Sequence, residues 1–194
     1  MTTIPLTTAE RLFLLRLARQ SIEAAVNRQS LPGLPPAHLT PALQEQGAAF
    51  VTLTLGGNLR GCVGALEPYQ PLAEDVREHA VAAAVEDYRF PAVRAHEVPR
   101  LHIEISRLTR PQPLSYSSPA DLQHRLRPQV DGVILRDGLR RATFLPQVWE
   151  QLPDPAEFLS HLCAKMGAAS NLWQTQPLTV LIYQVEQFEE ESHG

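Results

Sequence analysis

Cysteine is scarce in this chain: two among 194 residues, Cys62 and Cys163, far apart in sequence. Nothing about them indicates an oxidising compartment, so both are expected as free thiols. No CxxC, HxxxH or HExxH spacing occurs, which removes the spacing argument for zinc. No apolar run approaches the length of a membrane span. A signal-peptide pattern is missing too, because Glu10, Arg11 and Arg16 interrupt the apolar residues near the start. Excess positive charge is absent. The net charge is −4, which gives no electrostatic reason to expect a duplex nucleic acid. The expectation is a soluble, cytoplasmic protein with no membrane partner, no resident metal and no tightly held cofactor.

Proline is abundant, 17 residues, and breaks the chain into short elements. A composition 44% hydrophobic and 20% charged is that of a globular protein. The length suits one domain, or one domain with two lobes, able to bury a core without disulfides.

The chemistry concentrates between Ala48 and Pro91. Phe50–Leu55 and Leu59–Leu66 read as two strands around the turn signal Gly56-Gly57-Asn58. A three-residue loop pairs Leu55 with Leu59, Thr54 with Arg60 and Thr52 with Cys62, and gathers the apolar residues on one face. A two-residue loop would mix the faces. Arg60, Cys62, Thr52 and Thr54 are therefore expected to share the other face. Gly61 and Gly64 flank the cysteine and mark a bulge or a close approach. Pro71 then opens a helix whose stripe is Leu72, Val76, Ala80 and Ala83. Pro91 forces it to end near Asp87. Glu86 and Asp87 then sit at the wrong end of the helix dipole, at about 0.3–1 kcal/mol each. Arg89 or Arg60 is expected to offset them.

Elsewhere, Thr7 to about Arg28 is an amphipathic helix with a Thr7/Glu10 capping box and a stripe of Leu12, Leu15, Ala18, Ile22 and Ala25. Leu101–Thr109 alternates as a strand, with His102, Glu104 and Ser106 on one face. Asp137-Gly138 marks a second hairpin, whose arginines Arg136, Arg140 and Arg141 read as an anion patch or as solvated edge charges. Asp154 caps a helix running to Met166, with Gly167 as its stop. Leu178–Phe188 reads as one last strand. Hairpins separated by helices, without strict βαβ alternation, point to an α+β fold with mainly antiparallel sheet.

Each candidate residue carries two readings. Cys62 is a nucleophile or a small buried residue. Arg60, two residues along the strand at roughly 6–7 Å, supplies a cation but no base. A base must come from His161, His79 or a carboxylate such as Asp87. Arg60, Asp87 and Arg89 are an anion-binding group or an ion-pair network tying the helix end to the sheet. Phe90 is a core anchor or a lid, His161 a general base or a helix-face histidine, and Cys163 core.

The run NLRGCVGAL, followed by PLAEDVREHAVAAAVEDYRFP, resembles the AMMECR-one domain family, as do the later segments GLRRATFLPQVWEQL and EFLSHLCAKMGA. The resemblance covers nearly the whole chain. It implies a single domain over residues 1–194 with two sublobes, the larger built from both chain ends. It also implies Memo-like and radical-SAM partner proteins. Three functions follow as candidates. The first is an enzyme or enzyme subunit with Arg60 and Cys62 at a cleft, Asp87 and His161 assisting. The second is a binding or adaptor module in which Arg60, Arg89 and Phe90 hold a small anionic ligand or a partner. The third, nucleic-acid binding, is disfavoured by the charge.

Overall fold

The computed structural model describes residues 5–191. In chain order its principal elements are α1 (Thr8–Val26), α2 (Pro41–Gln44), β1 (Gln46–Leu55), β2 (Asn58–Gly64), β3 (Gln70–Pro71), α3 (Leu72–Val85) and β4 (Leu101–Leu108). There follow β5 (Gln112–Pro113), α4 (Pro119–Arg125), β6 (Gly132–Asp137), β7 (Arg140–Phe144), α5 (Pro155–Lys165), α6 (Leu172–Thr175), β8 (Thr179–Tyr183) and β9 (Val185–Glu189). Helices and antiparallel sheet make this an α+β fold. The chain forms two compact units. Among the described residues, one holds 5–108 and 186–191; the other is Thr109–Val185.

In the first unit the sheet runs β2-β1-β4-β9, with β3 also on β1. The partners β2, β3 and β4 all run antiparallel to β1. Period-2 alternation sends Val51, Leu53, Ile103 and Ile105 to one face, where they are fully buried in a core with residues of α1 and α3. Each such side chain contributes about 1.5–3 kcal/mol by leaving water. The opposite face carries Thr52, Thr54, His102 and Glu104. Helix α1 has the expected box: Thr7 Oγ1 accepts from Glu10 N, and Thr7 N donates to Glu10 Oε2. Its buried stripe lies further round than the sequence suggests. Leu14, Leu17 and Ser21 are buried, whereas Leu12 faces out.

The first hairpin differs from expectation in an informative way. Its loop has two residues, not three: Leu55 pairs with Asn58, and Gly56 and Gly57 both have positive φ, +58° and +79°. That is the backbone a tight primed turn demands, and glycine adopts it without strain. Thr54 therefore pairs with Leu59, not Arg60. A bulge then shifts the register, so that Leu53 faces Gly61 and Thr52 faces Cys62. Arg60 is the inserted residue. The bulge restores the apolar face that the short turn would have mixed.

Helix α3 crosses β2 at Gly61. A Cβ there would lie 2.0 Å from the Ala83 carbonyl oxygen, so only glycine lets the two backbones come this close. The helix ends at Val85, and Val93 N donates to Ala84 O, which ties the following loop back to the helix end.

In the second unit the sheet runs β5-β8-β6-β7. Trp149 stacks on Phe158 with ring centroids 3.7 Å apart in the centre of its core. Asp154 caps α5 by accepting from Ala156 N and Glu157 N. The expected single strand over 178–188 is two strands in two sheets. Gln184 breaks it, because its backbone oxygen and N–H both go to Thr109 and not to a ladder. Among the described residues no helix is long and apolar enough to cross a membrane.

Gly61→Ala tests the crossing of α3 over β2. The added methyl has only backbone to push against, so the variant loses about 1–3 kcal/mol or more of stability. Urea unfolding measures it, and an unchanged midpoint would contradict the close approach.

Candidate functional site

Strand β2 is the edge of its sheet, so the residues not bonded to β1 present bare backbone groups outward. Cys62 is one of them, and its groups are not left bare. Asp87 Oδ2 accepts from Cys62 N at 2.9 Å, and Arg89 Nη2 donates to Cys62 O at 3.0 Å. The two side chains also hold each other. Asp87 Oδ1 accepts from Arg89 Nε at 2.9 Å and Oδ2 from Nη2 at 2.7 Å. Arg89 N adds a further bond at 3.2 Å. Asp87 and Arg89 thus occupy the place of a missing neighbouring strand, for one residue.

The electrostatics follow from this geometry. The Arg89 guanidinium outweighs burial and, with the N–H groups of Cys62 and Arg89, holds the buried Asp87 carboxyl well below the usual carboxylate range. Asp87 in turn holds Arg89 above its ordinary value. Of the two cations expected to offset the acids at the helix end, Arg89 is the one that acts on Asp87. A carboxylate whose oxygens already accept four bonds is poorly suited to take a proton.

Arg60 does not share the face of Cys62. At the bulge two residues of β2, Arg60 and Gly61, oppose Leu53 alone, and the side chain is re-aimed. Its guanidinium binds Glu97 through Nε at 3.0 Å and Nη2 at 3.1 Å, and donates through Nη1 to Pro91 O at 2.8 Å. Arg60, reinforced by the bond from Arg94 N, holds the Glu97 carboxyl down at about 2. These groups belong to a pocket of about 310 Å3 lined by Arg60, Phe90, Pro91, Ala92, Arg94, His96 and Glu97. Phe90 is half-buried, with the Arg89 guanidinium 5.5 Å from its ring centroid.

The thiol of Cys62 belongs to the opposite sheet face, where Thr52 Oγ1 donates to Sγ at 3.3 Å. Thr52 pairs across β1 with Glu104, and Thr54 with His102. Cys62, Thr52 and Glu104 therefore form one row over three strands. His102 Nε2 lies 3.0 Å from Glu189 Oε2. Of the sequence candidates, the fold brings Arg60, Cys62, Asp87, Arg89 and Phe90 into one neighbourhood but sorts them into separate tasks. His161 is exposed on α5 in the other unit, and Cys163 is buried there, its thiol pushed up by burial. The alternation in β4 already put His102 and Glu104 on one face, but the register that joins them to Cys62 was not foreseen. Arg94 and His96 carried no signal beyond being charged loop residues. Among the described residues no group of three or more His, Cys, Asp or Glu side chains is placed to hold a metal ion.

A family model described as AMMECR1 matches residues 15–188. The chain belongs to the AMMECR1 family. Its relatives include a protein of Thermofilum pendens, 36% identical over 95% of this chain and 92% of that one. Another, from Methanothermobacter thermautotrophicus, is 37% identical over 96% and 97%. Among solved structures, an uncharacterized protein from Pyrococcus horikoshii is similar with a TM-score of 0.75 and 34% identity, covering 92% of this chain and 90% of that one. The segment LRGC is thus, in this chain, a bulged edge strand, and the segment DYRF supplies the two side chains that cover it.

Asp87→Ala removes the clasp and leaves the Cys62 N–H without its partner, at a cost of about 1–3 kcal/mol near neutral pH. The pH dependence has a definite sign. The folded-state values of Asp87 and Glu97 are depressed, so their stabilisation is present above the ordinary carboxylate values and is lost as pH falls below them. Urea midpoints should drop from about pH 4 downward, and Asp87→Ala should flatten that acid limb. An equally steep limb in the variant would contradict the assignment.

Proposed function

We propose that this chain is an enzyme, or a subunit of one, whose reactive group is the Cys62 thiol. The observation that carries the reading is the clasp. Two side chains are spent on the backbone of a single residue, and that residue is a cysteine whose sulfur points to a polar row. A structural thiol needs no such positioning, whereas a nucleophile gains from being held in one orientation. In this reading Asp87 and Arg89 are positioning residues. Thr52 orients the sulfur, and Glu104, the carboxylate of the same row, would receive the thiol proton. Arg60 shapes the loop beside the strand. His161 is not used.

The chemistry suited to such a site is transfer of an acyl-type group. The sulfur attacks an electrophilic carbon, the carbon–oxygen bond to the leaving group breaks, and the alcoholate departs with the electron pair. The thiol proton passes to Glu104 or solvent. The Memo-like and radical-SAM partners that the family resemblance implies would then supply or consume what this chain handles. A cytoplasmic setting would keep Cys62 reduced.

The test uses p-nitrophenyl acetate with the intact chain. Peptide mass mapping should find one acetyl group, on Cys62, formed faster than on glutathione at the same pH. Cys62→Ser should abolish it, and Arg89→Gln should slow it while leaving the reactivity of the unfolded chain unchanged. Acetylation no faster than that of glutathione, or spread over other residues, would overturn the reading.

A further inference from the structure

The pocket beside Arg60 is a second feature that the Cys62 chemistry does not use. Its frame is rigid. Arg60 binds both oxygens of Glu97 and the Pro91 carbonyl, and Arg94 N adds a bond to Glu97 at 2.7 Å. The single acid of the pocket therefore has its charge met by Arg60 and its oxygens occupied. What remains is the Arg94 guanidinium and the His96 ring. Neither the Arg94 guanidinium nor the His96 ring makes a hydrogen bond to another described residue, and both residues are exposed at the pocket wall. Phe90 adds an aromatic surface. In a chain of net charge −4, this is a local positive concavity with one apolar wall. Its volume, about 310 Å3, is at the lower end of the range of small-molecule sites.

We infer that this pocket binds a small organic anion: a planar or aromatic body against Phe90, with a carboxylate or phosphate held by Arg94 and His96. Arg94 offers a planar fork that matches either group bidentately, and His96 adds a donor from the same short loop. Glu97 does not repel the ligand, because Arg60 has already met its charge. The arginines that the sequence offered for anion binding, Arg60 and Arg89, are consumed by Glu97 and Asp87 and serve as the frame. The inference does not depend on Cys62 being reactive.

The experiment is calorimetric titration of the intact chain with four probes: phenyl phosphate, benzoate, inorganic phosphate and benzyl alcohol. Phenyl phosphate or benzoate, or both, should bind saturably at one site; which of them binds tighter identifies the anionic group. Arg94→Ala should weaken that binding about tenfold or more, and His96→Ala should weaken it as well. Both side chains are exposed, so neither change disturbs the core. Phe90→Leu should weaken phenyl phosphate but not inorganic phosphate. Cys62→Ser should leave every probe unaffected, which separates this site from the thiol chemistry. Absence of saturable binding, undiminished binding in Arg94→Ala, benzyl alcohol matching the anions, or inorganic phosphate matching phenyl phosphate would each overturn the inference.

Discussion

The hydrogen bonds that the Cys62 backbone makes, its N–H donating to Asp87 and its carbonyl accepting from Arg89, are the constraint on which the site depends. An edge strand must dispose of its outward N–H and C=O groups, and an uncovered edge invites pairing with another chain. Here the cover is a two-residue side-chain clasp, delivered by the loop that follows α3. It turns the unfavourable charge at the helix end into an asset. Asp87 sits where the helix dipole disfavours it, and it is stabilised there by a guanidinium and two N–H groups. Acids fill backbone gaps elsewhere in this unit. Asp75 accepts from Ala49 N where β1 changes partner between β2 and β3, and Glu190 accepts from Ile103 N.

The bulge at Arg60 is the second device. It splits one short motif into two chemical neighbourhoods. Gly61 faces the helix, where it alone permits the contact with Ala83. Cys62 faces the polar row with Thr52 and Glu104. Arg60 is turned toward Glu97 and the loop. Three consecutive residues therefore take three separate places: against the helix, in the polar row and in the pocket frame. Each role follows from the local register and not from the residue type alone.

Much of this was legible in the sequence. The stripe of α3, the Thr7 box, the Asp154 cap and the pairing of Thr52 with Cys62 all follow from periodicity and capping. That last pairing is instructive. The turn is one residue shorter than the sequence suggests, and a bulge, one of the two readings that Gly61 offers, compensates, so the far half of the hairpin falls where expected and the near half does not. Apolar burial fixes the total register but does not say where the extra residue sits. The face assigned to Arg60 failed for the same reason. The break at Gln184 was not legible, because Leu178–Phe188 reads as one β-rich run and only tertiary bonding to Thr109 interrupts it. Arg94 and His96 were invisible, since a charged loop residue acquires meaning only once its neighbours are known to be paired.

Native-state hydrogen exchange of the Cys62 amide tests the clasp directly. The amide lies on a sheet edge, where exchange is ordinarily fast. With the clasp in place it should be protected to a degree comparable with the central amides of β1 and β4. Asp87→Ala should release it while Val51 and Ile105 stay protected. Fast exchange of the Cys62 amide in the unaltered chain, or protection that survives the loss of Asp87, would contradict the clasp.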